Sequence, residues 1–563
     1  MKTTNLSKLK REKMLNTLNE IKKKISDDSI LNNLTLIENE LNNKKYGLIW
    51  EEHQERVDWE LQTQIPVFEN VKNKEIYNDK DKHYNFLLEG DNLHSLYLLE
   101  KTHKGKIDVI YIDPPYNTGA KTWKYNNNYV DKNDLFAHSK WLSMMNNRLV
   151  IAKKLLSDNG ALICSIDENE LCSLGLLLNE IFGEGYEIHP ITIVHNPRGI
   201  QGKNFSYTHE YAYFVFKRGE KVIGNRKIEP EKIDWSNLRN WGGESSRYDA
   251  KNCFYSIIVD GTNIIGFGDV LNDEIHPKQS EYVDGKLYIY PIDKQGVERK
   301  WRYARQSVEK IKDLLKVEIK DDRAEVYLGK NFAPYKTVWV DPKYDANEYG
   351  KKMLNNIVIG NNFEYPKSLY NVYDCLYAII ATNKNAIALD FFAGSGTTAQ
   401  AVLELNKEDG GNRQFILCTN NENNICEDIT YQRIKTVITG KRKDGSIYSE
   451  GIPANLKYFK TSYIPRINNE KENLHSNLLV NIKNLIELEN GINIDDKKIR
   501  VYLNENELDQ FSNNENDLKK CEIIYISSDV LLTGEQEQKF RDNNIEVFII
   551  PEYYFEDEIM EVL

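Results

Sequence analysis

Several features that would mark other kinds of protein are missing. No stretch approaches the roughly eighteen consecutive apolar residues of a membrane span. The basic start, with Lys2, Lys8, Lys10, Arg11 and Lys13, has no apolar segment behind it to make a secretory leader. A cytoplasmic protein with no membrane partner is expected. The seven cysteines, Cys164, Cys172, Cys253, Cys375, Cys418, Cys426 and Cys521, form no C-x-x-C pair. An odd, scattered set predicts reduced core thiols, with neither disulfides nor a zinc site, and no metal is expected. No G-x-x-x-x-G-K-[ST] segment occurs, which excludes an ATP-driven motor of the P-loop type in this chain. Glu318-Ile319-Lys320 is a lone E-x-K and reads as a surface turn, not a nuclease centre.

What is present is a long globular chain of 563 residues, 40% hydrophobic and 28% charged. That length predicts two to four domains. Its net charge of −12 argues at first against an acidic polymer as partner. The charge is localised, however: residues 471–563 hold 9 Lys and Arg against 21 Asp and Glu, and the remaining 65 basic and 65 acidic residues balance. A neutral body can hold a basic groove, while the acidic tail suits protein or water.

In chain order, residues 1–60 carry Leu6, Leu9, Met14, Leu18, Ile21 and Ile25 at helical spacing and read as a helical arm. An apolar strand over 84–88 closes on Gly90-Asp91-Asn92, a helix follows over 93–101, and Ile107 to Tyr111 reads as a second strand. A helix over 134–156, a strand over 160–167 and a helix over 168–182 come next. Strands over 188–195 and 209–216, separated by Asn196-Pro197-Arg198-Gly199, suggest an antiparallel edge. This alternation predicts a parallel sheet covered on both faces. It breaks near Gly219, where short β-like runs and clusters such as Arg299-Lys300-Trp301-Arg302-Tyr303-Ala304-Arg305 begin. Basic residues interleaved with aromatics suit phosphates and stacked bases, which makes Arg198, Lys300, Trp301, Arg302 and Arg305 candidate DNA contacts. An aromatic core with solvated cations fits the same pattern.

Two stretches carry chemistry. In the first, the strand ending at Ile112 is stopped by Asp113-Pro114-Pro115-Tyr116, because two prolines cannot continue it. In a parallel sheet that end is where ligands bind. An acceptor carboxylate, a proline carbonyl and a flat ring together suit an exocyclic amine on an aromatic base. In the second, Ala386 to Leu389 forms a strand that ends in Asp390 and turns through Phe391-Phe392-Ala393-Gly394-Ser395-Gly396-Thr397 into a helix. Its glycines admit a ligand to backbone amides. The stretch lacks the third glycine of a dinucleotide fingerprint and the G-K-[ST] ending of a P-loop, so an amino-acid-like zwitterion fits better than phosphate.

Together, Asp113-Pro114-Pro115-Tyr116 and Phe391 to Thr397 resemble the S-adenosylmethionine-dependent amino-methyltransferases of DNA, in the motif order of their β group. Length, Pro366-Lys367-Ser368 and the aromatic-rich insert look most like the modification (Mod) subunits of type III restriction-modification systems. The resemblance covers about residues 50–465. It implies a circularly permuted Rossmann-like methyltransferase sheet, an α/β fold in which the Asp390 strand is first, the Asp91 strand third and the Asp113 strand fourth, with an inserted target-recognition domain. The implied divisions are a helical arm at 1–60, a catalytic half at 61–219, a recognition insert at 220–355, a cofactor-binding half at 356–465 and a small acidic α/β interaction domain at 471–563.

The implied catalytic residues are Asp113, Pro114, Pro115 and Tyr116. Cofactor contacts carried over are Asp390, Phe392, Gly394, Ser395, Gly396 and Thr397, with Lys367 and Ser368 from the neighbouring loop and Asp91 or Asn92 at the adenine end. A ribose-binding acid belongs where the strand ending at Thr419 gives out, and Glu422 is the acid nearest there. The implied function is adenine-N6 methylation of a base rotated out of double-stranded DNA, by a homodimer that serves a restriction subunit. The alternatives are cytosine-N4 methylation, or a solitary methyltransferase with no restriction partner.

Overall fold

A computed structural model of the chain describes residues 6–42, 50–78, 83–125, 128–131, 134–201, 203–320, 323–466, 471–551 and 554. Two units result, one of residues 223–336 and one built from the chain on either side of it.

The larger unit opens with helices α1 (Leu6–Lys22), α2 (Asp28–Asn42) and α3 (Arg56–Thr63). Strands and helices then alternate: β1 (Gln64–Asn70), β2 (Tyr84–Glu89), α4 (Asn92–His103), β3 (Ile107–Ile112), α5 (Ala137–Leu155), β4 (Leu156–Ile166), α6 (Leu171–Phe182), β5 (Tyr186–Val194) and β6 (His209–Lys217). After the other unit come β7 (Val338–Trp339), α7 (Leu369–Ile380), β8 (Ile387–Asp390), α8 (Thr397–Asp409), β9 (Gln414–Thr419), α9 (Tyr431–Thr439), β10 (Asn455–Pro465) and α10 (Lys471–Asn490). Ten strands form one sheet in the order β1-β10-β2-β9-β8-β3-β4-β6-β5-β7.

Strands β2, β9, β8, β3 and β4 run parallel, and each is nearly wholly buried. That double burial explains their unbroken apolar runs, since helices cover both faces. β2 and β3 are consecutive strands in the first half of the chain, yet β9 and β8 lie between them. This is the permuted α/β methyltransferase sheet, with the Asp390 strand and the Asp113 strand side by side. Asp108 near the start of β3 accepts the amide of Ile387 at 2.9 Å and so registers the two halves. β6 runs antiparallel to both β4 and β5. The reversed strand thus lies inside the sheet, whereas the sequence suggested an antiparallel edge.

Helix α10 buries Leu478, Ile482, Leu485, Ile486 and Leu488 in the main core. The Lys457 ammonium of β10 is fully buried, 2.7 Å from Glu487 of α10 and 3.3 Å from Glu75. Beyond α10, β11 (Ile499–Tyr502), β12 (Ile523–Ile526) and β13 (Glu546–Ile549) form a parallel sheet with its own cluster around Phe511, Ile524 and Phe540. A cut at residue 471 therefore passes through packed core. Six of the seven cysteines are buried.

Residues 223–336 build two antiparallel sheets around Leu238, Tyr255, Ile257, Trp301 and Val326, and a two-stranded antiparallel ribbon of 225–227 with 332–334. One sheet holds strands 255–260, 263–270, 280–283 and 286–289, and the other 235–237, 315–320 and 323–329.

Removing the nearer carboxylate of a buried ion pair leaves the Lys457 charge with only the more distant Glu75 to offset it. Glu487→Ala is therefore expected to destabilise the chain by about 3 kcal/mol in urea unfolding. An unchanged midpoint contradicts this account of how α10 is held.

Candidate active site

The turn after β3 is fixed from two sides. The indole of Trp141, on the inner face of α5, donates to the Pro115 carbonyl at 2.6 Å. Asn117 takes a left-handed conformation, φ 57°, which asparagine tolerates better than most residues. Its amide donates to the buried carboxylate of Glu170 at 2.6 Å. Proline, tryptophan and asparagine together leave Asp113 and Tyr116 at the carboxyl edge of the sheet.

Asp113 faces a crowd of charge. The Lys367 ammonium lies 3.2 Å from Oδ1 of Asp113, and that oxygen receives no hydrogen bond. Burial pushes the Asp113 pKa up, and Lys367 pulls it back. The same ammonium lies 2.5 Å from Oε2 of Glu210 in β6 and donates to the Tyr116 hydroxyl. Tyr116 in turn donates to Glu210 at 3.1 Å, and Asn371 of α7 donates to the other Glu210 oxygen at 3.0 Å.

On the adjacent strand, Asp390 ends β8 nearly buried. Its carboxylate accepts the Phe392 amide at 3.0 Å and the Thr398 hydroxyl at 2.5 Å, which shapes the turn into α8. Burial pushes its pKa up to about 7. Gly394 and Gly396 both have positive φ, 49° and 77°, and α8 starts directly after them. An ideal Cβ on Gly394 would lie 3.4 Å from the Phe363 ring, and one on Gly396 would lie 3.2 Å from the Thr430 methyl group. Conformation thus favours glycine at both positions, and crowding adds to it at Gly396. A cavity of about 80 Å³ joins the two stretches, lined by Asp113 and Lys367 on one side and Asp390, Phe392, Gly394, Ser395 and Thr397 on the other, with Phe363 and Tyr365 at its wall.

Other expected contacts already have partners within the chain. Asp91 caps α4 through the Leu93 amide, and Asn92 donates to the Phe391 carbonyl at 2.7 Å. Ser368 is buried, its hydroxyl donating to the Lys343 carbonyl at 2.8 Å. Glu422 is exposed in a short turn after β9.

Three residues at the site were missed. Glu210 is a carboxylate at the start of β6, directly ahead of its apolar run from Tyr211 to Phe216, and that placement was the available signal. Arg148 on the inner face of α5 bonds Asn92 at 2.5 Å and Glu55 at 2.6 Å, tying the Asp91 turn to the segment before α3. Arg433 on α9 is wholly buried and donates to the hydroxyls of Ser395 and Thr397 at 3.1 and 2.7 Å, bracing the glycine turn. Both arginines fall at inward helical positions among apolar residues, where a cation needs partners.

The DNA-contact candidates divide. Trp301 is 1% exposed and its indole donates to the Tyr255 carbonyl at 2.8 Å, so it is core and not a surface for stacking bases. Apolar packing claims that ring. Arg305 donates to the carbonyls of Phe267 and Gly268 and has a structural role. Arg302 is exposed and Lys300 half-buried in the smaller unit, and Arg198 is exposed in the larger one. The exposed aromatics of the smaller unit are instead Trp235, Trp241, Tyr248, Tyr282 and Phe332, with Trp241, Tyr248 and Tyr282 the most exposed.

The sheet order and the paired turns match the permuted α/β fold that the motifs imply. A family model described as DNA methylase matches residues 107–432, more than half of the chain, and the chain belongs to that family. The EcoPI Mod subunit of the type III restriction-modification enzyme of Escherichia phage P1 is 30% identical over 386 residues, covering 60% of this chain and 58% of that protein. The type II methyltransferase M.KpnI of Klebsiella pneumoniae is 31% identical over 360 residues, covering 59% of this chain and 79% of that one. The StyLTI Mod subunit of Salmonella typhimurium is 30% identical over 393 residues, covering 63% and 55%. The chain thus spans little more than half the length of the Mod relatives it matches. Among the described residues no helix is long and apolar enough to cross a membrane.

A carboxyl whose folded pKa lies above its unfolded value of about 3.9 binds protons more readily when folded, so its contribution to stability declines as pH rises through that window. For Asp390 the window runs from about pH 4 to about 7. The stability of wild type minus that of Asp390→Asn is expected to shrink across it in thermal melts. A pH-independent difference contradicts the assignment.

Proposed function

We propose that the chain is a site-specific DNA adenine-N6 methyltransferase using S-adenosylmethionine, and the modification and specificity subunit of a type III restriction-modification system. One observation carries this reading: the unbonded carboxylate oxygen of Asp113 and the glycine turn after Asp390 border the same cavity. An amine acceptor and a site for a small zwitterion are what methyl transfer to an amine needs in one place.

The residues present suit the cofactor. The turn of Gly394, Ser395 and Gly396, with Thr397 at the start of α8, offers a close backbone approach for its methionine end. Phe363, Tyr365 and Phe392 line the cavity with rings that suit a cationic sulfur. When bound, the cofactor supplies an electrophilic methyl group. Asp113 accepts one hydrogen of the target amine, the Pro114 carbonyl accepts the other, and together they turn the nitrogen lone pair toward the cavity. The ionised carboxylate also stabilises positive charge developing on that nitrogen and takes the proton that the nitrogen sheds once methylated. Tyr116 stacks on the base, which leaves the duplex at a cost of roughly a few kcal/mol. Lys367 faces Asp113 and is assigned to it in place of the cofactor.

The names of the phage P1 and Salmonella relatives support a Mod role, and a homodimer that engages a restriction subunit is proposed with it. A solitary enzyme is the second reading, favoured by the 79% coverage of a relative named as a type II methyltransferase. Exposed Arg198, Arg302, Trp241, Tyr248 and Tyr282 are the proposed DNA contacts, with residues 223–336 reading the sequence.

Modified bases mapped genome-wide in cells carrying wild type or Asp113→Ala test the reading. One N6-methyladenine motif should vanish with the substitution. If none does, the reading fails, and loss of an N4-methylcytosine motif in its place identifies cytosine as the target.

A further inference from the structure

Glu210 stands at the start of β6, directly ahead of its apolar run, and is 4% exposed. A carboxylate there requires partners, and it has three: Asn371 on one oxygen, and Tyr116 and Lys367 on the other. Asp113 has the same ammonium at 3.2 Å, outside hydrogen-bonding direction. The Lys367 nitrogen also lies 4.6 Å over the Tyr116 ring. One cation therefore serves two carboxylates, bonded to Glu210 and only adjacent to Asp113.

We propose that Glu210 is a positioning residue, holding the Lys367 ammonium close enough to keep Asp113 ionised and too firmly engaged to occupy the oxygen that accepts the target amine. The proposal rests on the reading of Asp113 as that acceptor.

Two opposed failures explain why such a clamp is needed. Without a cation, burial drives Asp113 toward its protonated form, in which it loses acceptor capacity. With an unrestrained cation, the ammonium settles on Asp113 and takes the amine's place. Glu210 outcompetes Asp113 because it collects three donors. Lys367 stays charged, its pKa raised to about 12 by the two carboxylates against the opposing effect of burial.

The other titratable groups facing this cluster do not supply the charge. Burial lowers the pKa of His195, which faces Glu210 and Lys367, so it is neutral at pH 7. Burial raises Tyr111 on β3, Cys164 on β4 and Cys375 on α7 well above their ordinary values. It also pushes Asp167, just past β4, up to about 6 and Asp390, at the end of β8, up to about 7. Tyr116, bonded to both charges, is held well above neutral pH by burial and the nearby carboxylates.

The test uses the full-length protein with S-adenosylmethionine and duplex DNA. It measures single-turnover methyl transfer against pH for wild type, Glu210→Gln, Lys367→Met, Lys367→Arg and the Glu210→Gln/Lys367→Met double variant. Calorimetry gives cofactor affinity for each. Lys367→Met should move the acid limb up by about one pH unit or more, because Asp113 loses its cation. Glu210→Gln should move the limb down, because a negative neighbour is gone and the freed ammonium turns to Asp113. Its plateau should fall by about tenfold or more. The double variant should be no slower than Lys367→Met, and Lys367→Arg should keep the wild-type limb. Cofactor affinity should stay within about threefold throughout.

Loss of rate with an unmoved limb, limbs moving the same way, or additive losses in the double variant would overturn the proposal. In those cases wild type remains active and Asp113→Ala inactive, so the functional reading stands. A wild type that methylates no amine overturns both.

Discussion

The molecule depends on one pairing, that of β8 with β3. Ala388 and Leu389 lie beside Val109 and Ile110 in parallel register, and Asp108 accepts the Ile387 amide. These few contacts set the end of one strand, Asp113, next to the end of the other, Asp390, although some 280 residues separate them. The chain leaves β8 toward β9 on one side and β3 toward β4 on the other. A crevice opens where such a sheet changes direction, which is where ligands of open α/β sheets bind. Permutation leaves the sheet order intact and alters only which half is made first.

Around that crevice the charges are arranged in depth. Trp141, Asn117 and Glu170 fix the proline turn, and Arg433 braces the glycine turn from behind. Between the two, Glu210, Lys367, Asn371 and Tyr116 form a bonded cluster beside the open oxygen of Asp113. The smaller unit and the acidic tail of the larger one differ in how they are held. Residues 223–336 hold their own core and show exposed aromatics, whereas α10 is part of the main core and carries the acidic tail with it.

Much of this was legible in the sequence because its signals are local. Apolar runs ending in an acid, prolines that stop a strand and glycines before a helix fix strands β2, β3 and β8 and the two turns within a residue or two. The permuted order followed from the family resemblance that the two motifs carry. What stayed hidden depends on contacts across long separations. Glu210 meets Lys367 over 157 positions, and nothing local signals that pairing. Trp301 sits in a cluster of basic residues that reads as a nucleic-acid surface, yet its ring is claimed by Tyr255 and its neighbours. Helix α10 begins a strongly acidic segment, and only the burial of Lys457 against Glu487 shows that it belongs to the sheet.

The most direct measurement of the central claim is nucleoside mass spectrometry on duplex DNA treated with the purified chain and S-adenosylmethionine bearing a deuterated methyl group. Labelled N6-methyladenine is expected with wild type. It should be absent with Asp113→Ala and with Gly394→Val, one substitution in each half of the site. Label that persists when either half is removed, or that never enters an amino group of DNA, would contradict the account.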